Sequence, residues 1–220
     1  MRVESVNHQL RWKGSCLGKP SIVVTISQDG ENFSSDDVIK QIRQIKACSR
    51  IVFAGLDPMV EQFEIMDIIA KLQEGCEIVI STTGGVMPDV NIRSKVNAWE
   101  INIPTEEQVM PFKYNDEALR FYSIQKNATY EWDVNYETDM LEVKKAVHFH
   151  HIPWKRVILN PVSEEEEFDD KFKWLEDYCL EKGCSMGNPI IHYKTQPGEE
   201  DGNNRFNKRD SELSDKTPED

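Results

Sequence analysis

The sequence predicts an α/β fold with a parallel sheet, from two observations. Short apolar runs rich in β-branched residues recur along the chain, and a helical pattern follows each one. The runs start about 20 to 30 residues apart, the length of a strand, a helix and two short loops, so each unit is a strand–helix–strand step. Six runs are expected to be strands wound in sequence order: Ser21–Ile26, Arg50–Phe53, Glu77–Ile80, Ala98–Ile103, Thr129–Val134 and Arg156–Leu159.

Local signals place the helices between these runs. Ser34 or Ser35 is expected to cap the first helix, because two aspartates follow in its first turn. The third helix, roughly Val90–Asn97, is short, and the fourth covers Asp116–Gln125. Apolar stripes predict the second and the fifth.

The last part of the chain contains one more helix and one more apolar run. The pattern Ser163-x-x-Glu166 is typical of a capping box and predicts the start of the sixth helix, which ends at Gly183. Pro189–Tyr193 is expected to form a seventh strand or a strap across the end of the fold. Periodicity alone leaves two architectures open, a partial barrel and a doubly wound sheet.

Composition limits the domain count and the partners. The chain has 220 residues, which suits one domain, here expected over residues 1–195, with an acidic, disordered tail over 196–220. The formal net charge of −13 argues against a nucleic-acid or anionic-membrane binder. No apolar run is long enough for a membrane span, and the first residues contain no signal-peptide core, so a cytoplasmic location is expected.

The five cysteines are an odd count without close pairing, which predicts reduced, partly buried thiols. Cys179 and Cys184 are the nearest pair and lie on either side of the expected helix end at Gly183.

Candidate binding residues follow the second and third strands, because ligands in parallel α/β folds bind at the carboxyl ends of strands. Glycines there let backbone approach a ligand, a carboxylate can meet an ammonium group, and hydroxyls can contact a ribose or a phosphate. The alternative interpretation is a pair of ordinary strand-to-helix turns, with Asp57-Pro58 starting a helix. The residues singled out for cofactor binding are Gly55, Asp57, Pro58, Thr82, Thr83 and Gly84.

These segments resemble those of the radical S-adenosylmethionine (SAM) superfamily, most closely the 7-carboxy-7-deazaguanine synthases. Gly55-Leu56-Asp57-Pro58 is similar to the Gly-Gly-Glu/Asp-Pro segment that holds the SAM amino group, with Leu56 in place of the second glycine. Ser81-Thr82-Thr83-Gly84 is similar to the Glu-Thr-Asn-Gly segment near the SAM ribose and the substrate. Gly18-Lys19-Pro20-Ser21 resembles the Gly-x-Pro-Ser entry to the first strand. The resemblance runs in order from about Gly18 to Pro161 and implies a partial (βα)₆ barrel.

The chain departs from that superfamily at its metal site. No Cys-x₃-Cys-x₂-Cys occurs, and Ser27–Phe33 stands where the cysteine loop would follow the first strand. Cys16 lies before that strand and does not replace a ligand. Because thiolates hold such clusters, no [4Fe–4S] cluster is expected, whereas SAM binding stays open.

Two functional hypotheses follow. The first is a cluster-less relative of the deazaguanine synthases, a pseudoenzyme or a binding protein for a nucleotide-like ligand or a partner protein; the resemblance also implies a homodimer. The second is an enzyme with non-radical chemistry at the strand ends, because carboxylates there can act as general bases or bind a divalent ion. Its candidate groups are Asp57, Glu131, Asp133 and Asn160. A divergent relative of the anaerobic ribonucleotide reductase activases, which share the Gly-Gly-Asp-Pro segment, is the other alternative.

Overall fold

The computed structural model describes residues 1–45, 48–104, 114–164 and 168–192. The tail predicted over 196–220 lies outside the described residues. Within them, no helix is both long and apolar enough to cross a membrane.

The described strands form one mostly parallel sheet, which confirms the predicted α/β class. All six predicted strands are present, in the expected positions. The strands are β1 (Arg2–Leu10), β2 (Pro20–Ile26), β3 (Glu31–Asn32), β4 (Arg50–Gly55), β5 (Glu77–Thr82), β6 (Ala98–Asn102), β7 (Ala128–Val134), β8 (Val157–Glu164), β9 (Ser185–Met186) and β10 (Ile190–His192).

The parallel strands follow the chain without a reversal. The sheet order is β10-β8-β7-β6-β5-β4-β2-β1-β3, and β9 pairs with β8 off this path. The expected seventh strand is β10, which pairs in parallel with β8. In the described residues no pairing joins β3 to β10, so the sheet is not closed there.

The sheet also contains an N-terminal strand that the sequence pattern did not predict. β1 runs antiparallel to β2, with Leu10 opposite Pro20. Of its residues only Val3 is buried, because the strand lies near an edge of the sheet. A mostly exposed strand carries few apolar residues, so it lacks the signal that predicted the others.

Helices follow the strands much as expected, with two corrections at their ends. Ser34 caps α1 in a capping box with Asp37, and Gly183, with a φ of 68°, follows the end of α6. Two short 3₁₀ turns, Pro58–Glu61 and Trp154–Arg156, precede α2 and β8. The α-helices are α1 (Ser35–Gln44), α2 (Gln62–Lys71), α3 (Val90–Arg93), α4 (Asp116–Ile124), α5 (Asp139–Phe149) and α6 (Phe168–Lys182).

The first correction concerns Ser163, which lies in strand β8; the rest of the expected capping box falls on residues 165–167, outside the described residues. Ser163 is buried in β8, because β8 extends to Glu164 through its parallel pairing with β10. The second concerns α3, which ends at Arg93 rather than Asn97. Asn97 binds β5 instead: its backbone N–H donates to the Ile78 carbonyl at 2.8 Å, and its Oδ1 accepts from the Ile78 N–H at 2.7 Å.

The two faces of the sheet differ. The buried residues of all the α-helices join a single large core with one set of strand side chains, including Phe53, Trp99 and Trp132. Right-handed strand–helix–strand connections place successive helices on the same face of the sheet when the strand order does not reverse. On the opposite face, Val23, Val52 and Val79 form a second, small apolar cluster. We call this second side of the sheet the helix-free face.

Candidate functional site

A loop covers the helix-free face. Residues 11–19, between β1 and β2, form the β1–β2 loop, whose Cys16 packs against Val23, Val52 and Val79. Burial raises the pKa of the Cys16 thiol above its usual value. The loop is closed on itself, since the Arg11 N–H donates to the Lys19 carbonyl at 3.1 Å and the Gly18 N–H to the Arg11 carbonyl at 2.9 Å.

The loop neutralises a buried carboxylate in the middle of β6. Glu100 is 1% exposed, and its Oε2 lies 2.8 Å from Nη2 of Arg11. The Ser15 hydroxyl donates to the other oxygen, Oε1, at 3.0 Å. Gly14 allows this contact, because its φ is 86° and a Cβ there would lie 2.2 Å from Oε1. The loop therefore supplies a positive charge and a hydroxyl donor to the Glu100 carboxylate, and Gly14 leaves room for it.

A second ion pair joins the loop to the neighbouring strands. Lys13 Nζ lies 2.7 Å and 2.8 Å from the two carboxylate oxygens of Asp133 on β7. Nδ2 of Asn160 on β8 donates to Asp133 Oδ1 at 2.9 Å. Asp133 thus has donors from the loop and from the next strand of the sheet.

Glu131 lies between these two ion pairs, and its carboxylate belongs to neither of them. It is 2% exposed, and neither carboxylate oxygen accepts a hydrogen bond from the described residues. Burial and then the negative charge of Glu100 raise the pKa of Glu131 to about 7, against the opposing influence of Lys13 and Asn160. A carboxyl group with this pKa can hold or release a proton near neutral pH. The term Glu131 cluster is used below for Glu100, Glu131, Asp133 and Asn160 with their loop partners Arg11, Lys13 and Ser15.

A cavity of about 330 Å³ opens beside this cluster. Its wall comes from the β1–β2 loop, the start of β8 and the segment over residues 185–188. Nδ2 of Asn188 donates to the Trp12 carbonyl at 2.9 Å, which joins that segment to the loop. The polar and basic lining residues are Lys13, Ser15, Thr129, Lys155, Arg156, Asn160, Ser185 and Asn188.

The residues predicted for cofactor binding meet elsewhere, at the carboxyl ends of β4 and β5. Asp57 is 2% exposed and accepts three hydrogen bonds. Oδ1 accepts from the Thr82 hydroxyl at 2.8 Å and from the Met59 N–H at 3.1 Å, and Oδ2 accepts from the Thr83 hydroxyl at 2.6 Å. The two threonines accept in turn from the N–H groups of Gly84 and Gly85. We call this set the Asp57 network.

The predicted glycine and proline have roles within the fold in this region. Gly55 has a φ of 121°, and a Cβ there would lie 1.9 Å from the Ile26 carbonyl oxygen, so β2 itself approaches this glycine. Pro58 is buried in the 3₁₀ turn that Asp57 caps. The Asp57 carboxylate therefore has donors from its own chain where the ammonium group of SAM was expected. A SAM molecule bound there would have to displace one of the threonine hydroxyls.

Of the four catalytic candidates, the structure brings together Glu131, Asp133 and Asn160, whereas the hydrogen bonds of Asp57 all lie in its own network. Sequence reasoning missed Glu100 and the loop residues Arg11, Lys13 and Ser15. The signal for Glu100 was a charged residue in the middle of an apolar strand. The loop has no motif, and its partners lie far away along the chain.

Comparisons with known proteins and a search for metal sites add no assignment. No protein-family model matches the chain, and no curated protein matches it. In the part of the chain that the structure describes, no group of three or more His, Cys, Asp or Glu residues is arranged to hold a metal ion.

Proposed function

We propose that this chain is a cluster-less, radical SAM-like protein, related to the 7-carboxy-7-deazaguanine synthases, that binds a nucleotide-like small molecule without radical chemistry. The observation that carries the proposal is the β1–β2 loop on the helix-free face. In a partial barrel that face is the interior, where a radical enzyme needs room for cofactor and substrate. Here two ion pairs and the Cys16 contact hold a loop against it.

Two features of the sheet support the partial barrel. The order of the parallel strands from β2 to β8 does not reverse, and every α-helix packs on the same face. A doubly wound sheet needs a reversal of the strand order and helices on both faces of the sheet. A curved sheet with helices outside and a covered interior agrees with both observations.

The cavity supports a ligand with a negatively charged group. Lys155 lines the cavity together with two cations that already have partners: Lys13, paired with Asp133, and Arg156, whose Nη1 donates to the carbonyls of Ser123 and Gln125. The side-chain amides of Asn160 and Asn188 add groups that donate and accept hydrogen bonds. A volume of about 330 Å³ is within the range of small-molecule sites. A phosphate near Lys155 and a base near the amides would use both kinds of group.

Calorimetric titration with guanosine 5′-monophosphate, and with guanosine as the phosphate-free control, tests this proposal. The monophosphate is expected to bind at least about tenfold more tightly, since a charge-assisted contact to phosphate contributes roughly 1.5 kcal/mol or more. Lys155→Met should remove this difference. Lys40→Met, on the exposed side of α1, is the matched control and should leave it unchanged. Absence of binding by both probes contradicts the proposal, and equal binding contradicts its phosphate part.

SAM binding at the Asp57 network is the second test of the family relationship. Titration of anaerobically purified protein with SAM should show binding that weakens in Asp57→Asn, if the ammonium group displaces a threonine hydroxyl. The asparagine keeps the size of the side chain and removes its charge. Binding that is unaffected by Asp57→Asn would place SAM elsewhere, and no binding would show that only the fold was kept.

The Glu131 cluster favours a second candidate function, an enzyme with non-radical acid–base chemistry. A buried carboxyl group with a pKa of about 7, beside a cavity, has the properties of a general acid or base. Asn160 lines the cavity and Glu131 does not, so the wall would have to open for a substrate to reach Glu131. Catalysis at this site would be lost in Glu131→Gln, whereas binding of guanosine 5′-monophosphate would persist.

A further inference from the structure

Two cysteines meet where α6 ends. The carbonyl of Cys179 accepts from the N–H of Gly183 at 2.9 Å and from the N–H of Cys184 at 3.2 Å. This is the hydrogen-bond pattern of a glycine-terminated helix, in which the side chain after the glycine contacts a side chain in the last turn. Those two side chains are Cys184 and Cys179, and both are free thiols in the structure.

The two sulfurs differ in chemistry. Cys179 is buried and Cys184 is half-buried. The interaction between the two side chains lowers the pKa of the Cys184 thiol, and together with burial it raises that of Cys179. Because the thiolate is the nucleophile in disulfide exchange, Cys184 is the sulfur that attacks first.

The chain after Cys184 forms part of the cavity wall. Ser185 and Met186 pair with β8 as β9, and the N–H of Gly187 donates to the Leu159 carbonyl at 2.9 Å. Gly187 also lies close to the cluster, since a Cβ there would lie 1.8 Å from Oδ1 of Asn160. A shift of Cys184 is therefore expected to move the segment that contacts Asn160.

We propose that Cys179 and Cys184 form a reversible disulfide that acts as a redox control of the cavity wall. Cys184 thiolate attacks a low-molecular-weight disulfide such as oxidised glutathione and releases one glutathione thiolate. Cys179 then loses its proton and attacks the Cys184 sulfur of the mixed disulfide, releasing the second glutathione. The protein gives up two protons and two electrons, and with them one glutathione disulfide becomes two thiols. The new S–S bond, about 2.05 Å long, brings the two sulfurs closer together than they are as free thiols.

Intact-mass measurement tests the bond itself. The full chain is equilibrated in glutathione buffers of increasing oxidised fraction, its free thiols are alkylated, and the linkage is mapped by peptide digestion. The expected product is a Cys179–Cys184 bridge that dithiothreitol reverses. Cys184→Ser should abolish it, and Cys76→Ser, at a half-buried thiol just before β5, should not. A bridge that uses other cysteines, or none in any buffer, contradicts the proposal.

Hydrogen exchange tests the effect on the cavity wall. On oxidation the amides over residues 185–188 should change their exchange rates by at least about fivefold, and those of the Asp57 network should not. Cys184→Ser should show no change under the same conditions. A bridge formed without this change contradicts the control part of the proposal.

The effect on ligand binding rests on the proposed function. Oxidation should change the affinity for guanosine 5′-monophosphate by at least about threefold. If that probe binds neither form, the proposed function is wrong, while mass and exchange measurements still decide the thiol proposal. If the reduced protein binds it and oxidation leaves the affinity unchanged, the redox control is wrong and the binding function stands.

Discussion

The Asp57 network and the Glu131 cluster bury the same functional group in opposite ways. Asp57 and Glu131 are each 2% exposed. Asp57 accepts hydrogen bonds from two threonine hydroxyls and a backbone N–H, whereas both oxygens of Glu131 lack a hydrogen bond within the described residues. Hydrogen bonds from neighbouring residues stabilise the charged form of Asp57. Burial and the nearby charge of Glu100 destabilise the charged form of Glu131.

The difference separates a structural group from a functional candidate. A buried carboxylate with three donors holds a turn in place and has little left to offer a ligand. A buried carboxyl group without donors costs free energy unless it is protonated, or unless a ligand or substrate supplies the donor. The motif resemblance pointed to Asp57, while physical chemistry points to Glu131.

The largest expected effect is the loss of the Asp57 carboxylate. Asp57→Ala leaves two buried hydroxyls and the Met59 N–H without their acceptor and should lower the free energy of unfolding by about 4 kcal/mol. Urea unfolding measures this. Asp177→Ala, at an exposed position of α6, is the matched control and should change stability by less than about 0.5 kcal/mol. A loss of stability no larger than that of the control would show that the fold does not need the network. Asp57 would then again be a candidate for ligand binding.

The two regions were not equally predictable from the sequence. The difference follows from how far apart along the chain their interacting residues lie. The Asp57 network was predictable as a group, because Asp57 and the two threonines follow adjacent parallel strands, whose carboxyl ends meet at one edge of the sheet. The six parallel strands were predictable because each contains a short run of mainly apolar residues. The sequence did not reveal that the carboxylate is satisfied internally, since that depends on side-chain rotamers.

The Glu131 cluster was only partly predictable. Glu131, Asp133 and Asn160 were candidates, but their orientation was open, because alternate residues of a strand point to opposite faces. The loop that covers them makes contacts 89 residues away, between Arg11 and Glu100, and 120 residues away, between Lys13 and Asp133. No local pattern encodes such pairs. β1 was missed for a related reason, since an edge strand needs few apolar residues.

The next effect in size is a pH dependence that Glu131 introduces. Its pKa is about 7 in the folded protein, against 4.5 for an ordinary glutamate side chain. The folded state therefore binds more protons between these values, and stability falls as pH rises through them. The rise in pKa from 4.5 to about 7 corresponds to about 3 kcal/mol of stability, present below pH 4.5 and lost above pH 7.

Glu131→Gln removes this titration. Relative to the wild type, the variant should gain about 3 kcal/mol in free energy of unfolding between pH 4.5 and pH 7.5, as measured by urea unfolding across that range. Glu176→Gln, on the exposed surface of α6, should follow the wild type. A constant difference between Glu131→Gln and wild type would mean that Glu131 titrates normally, and the contrast with Asp57 would then disappear.

The smallest expected effect is that of Lys13, which covers the cluster without being essential to its stability. The side chains of Lys13 and Asp133 are 37% and 21% exposed, so water screens their ion pair, and Asp133 keeps the Asn160 amide when the lysine is removed. Lys13→Met should therefore cost less than about 1 kcal/mol in urea unfolding, although its ion pair is as short as that of Arg11. The same substitution removes a positive charge near Glu131, so the pKa of Glu131 obtained from the pH series should rise further.

A loss of stability as large as that of Asp57→Ala would show that the loop is structural in the way that the Asp57 network is. A small loss with a raised pKa would show instead that Lys13 mainly tunes the charge of the Glu131 cluster.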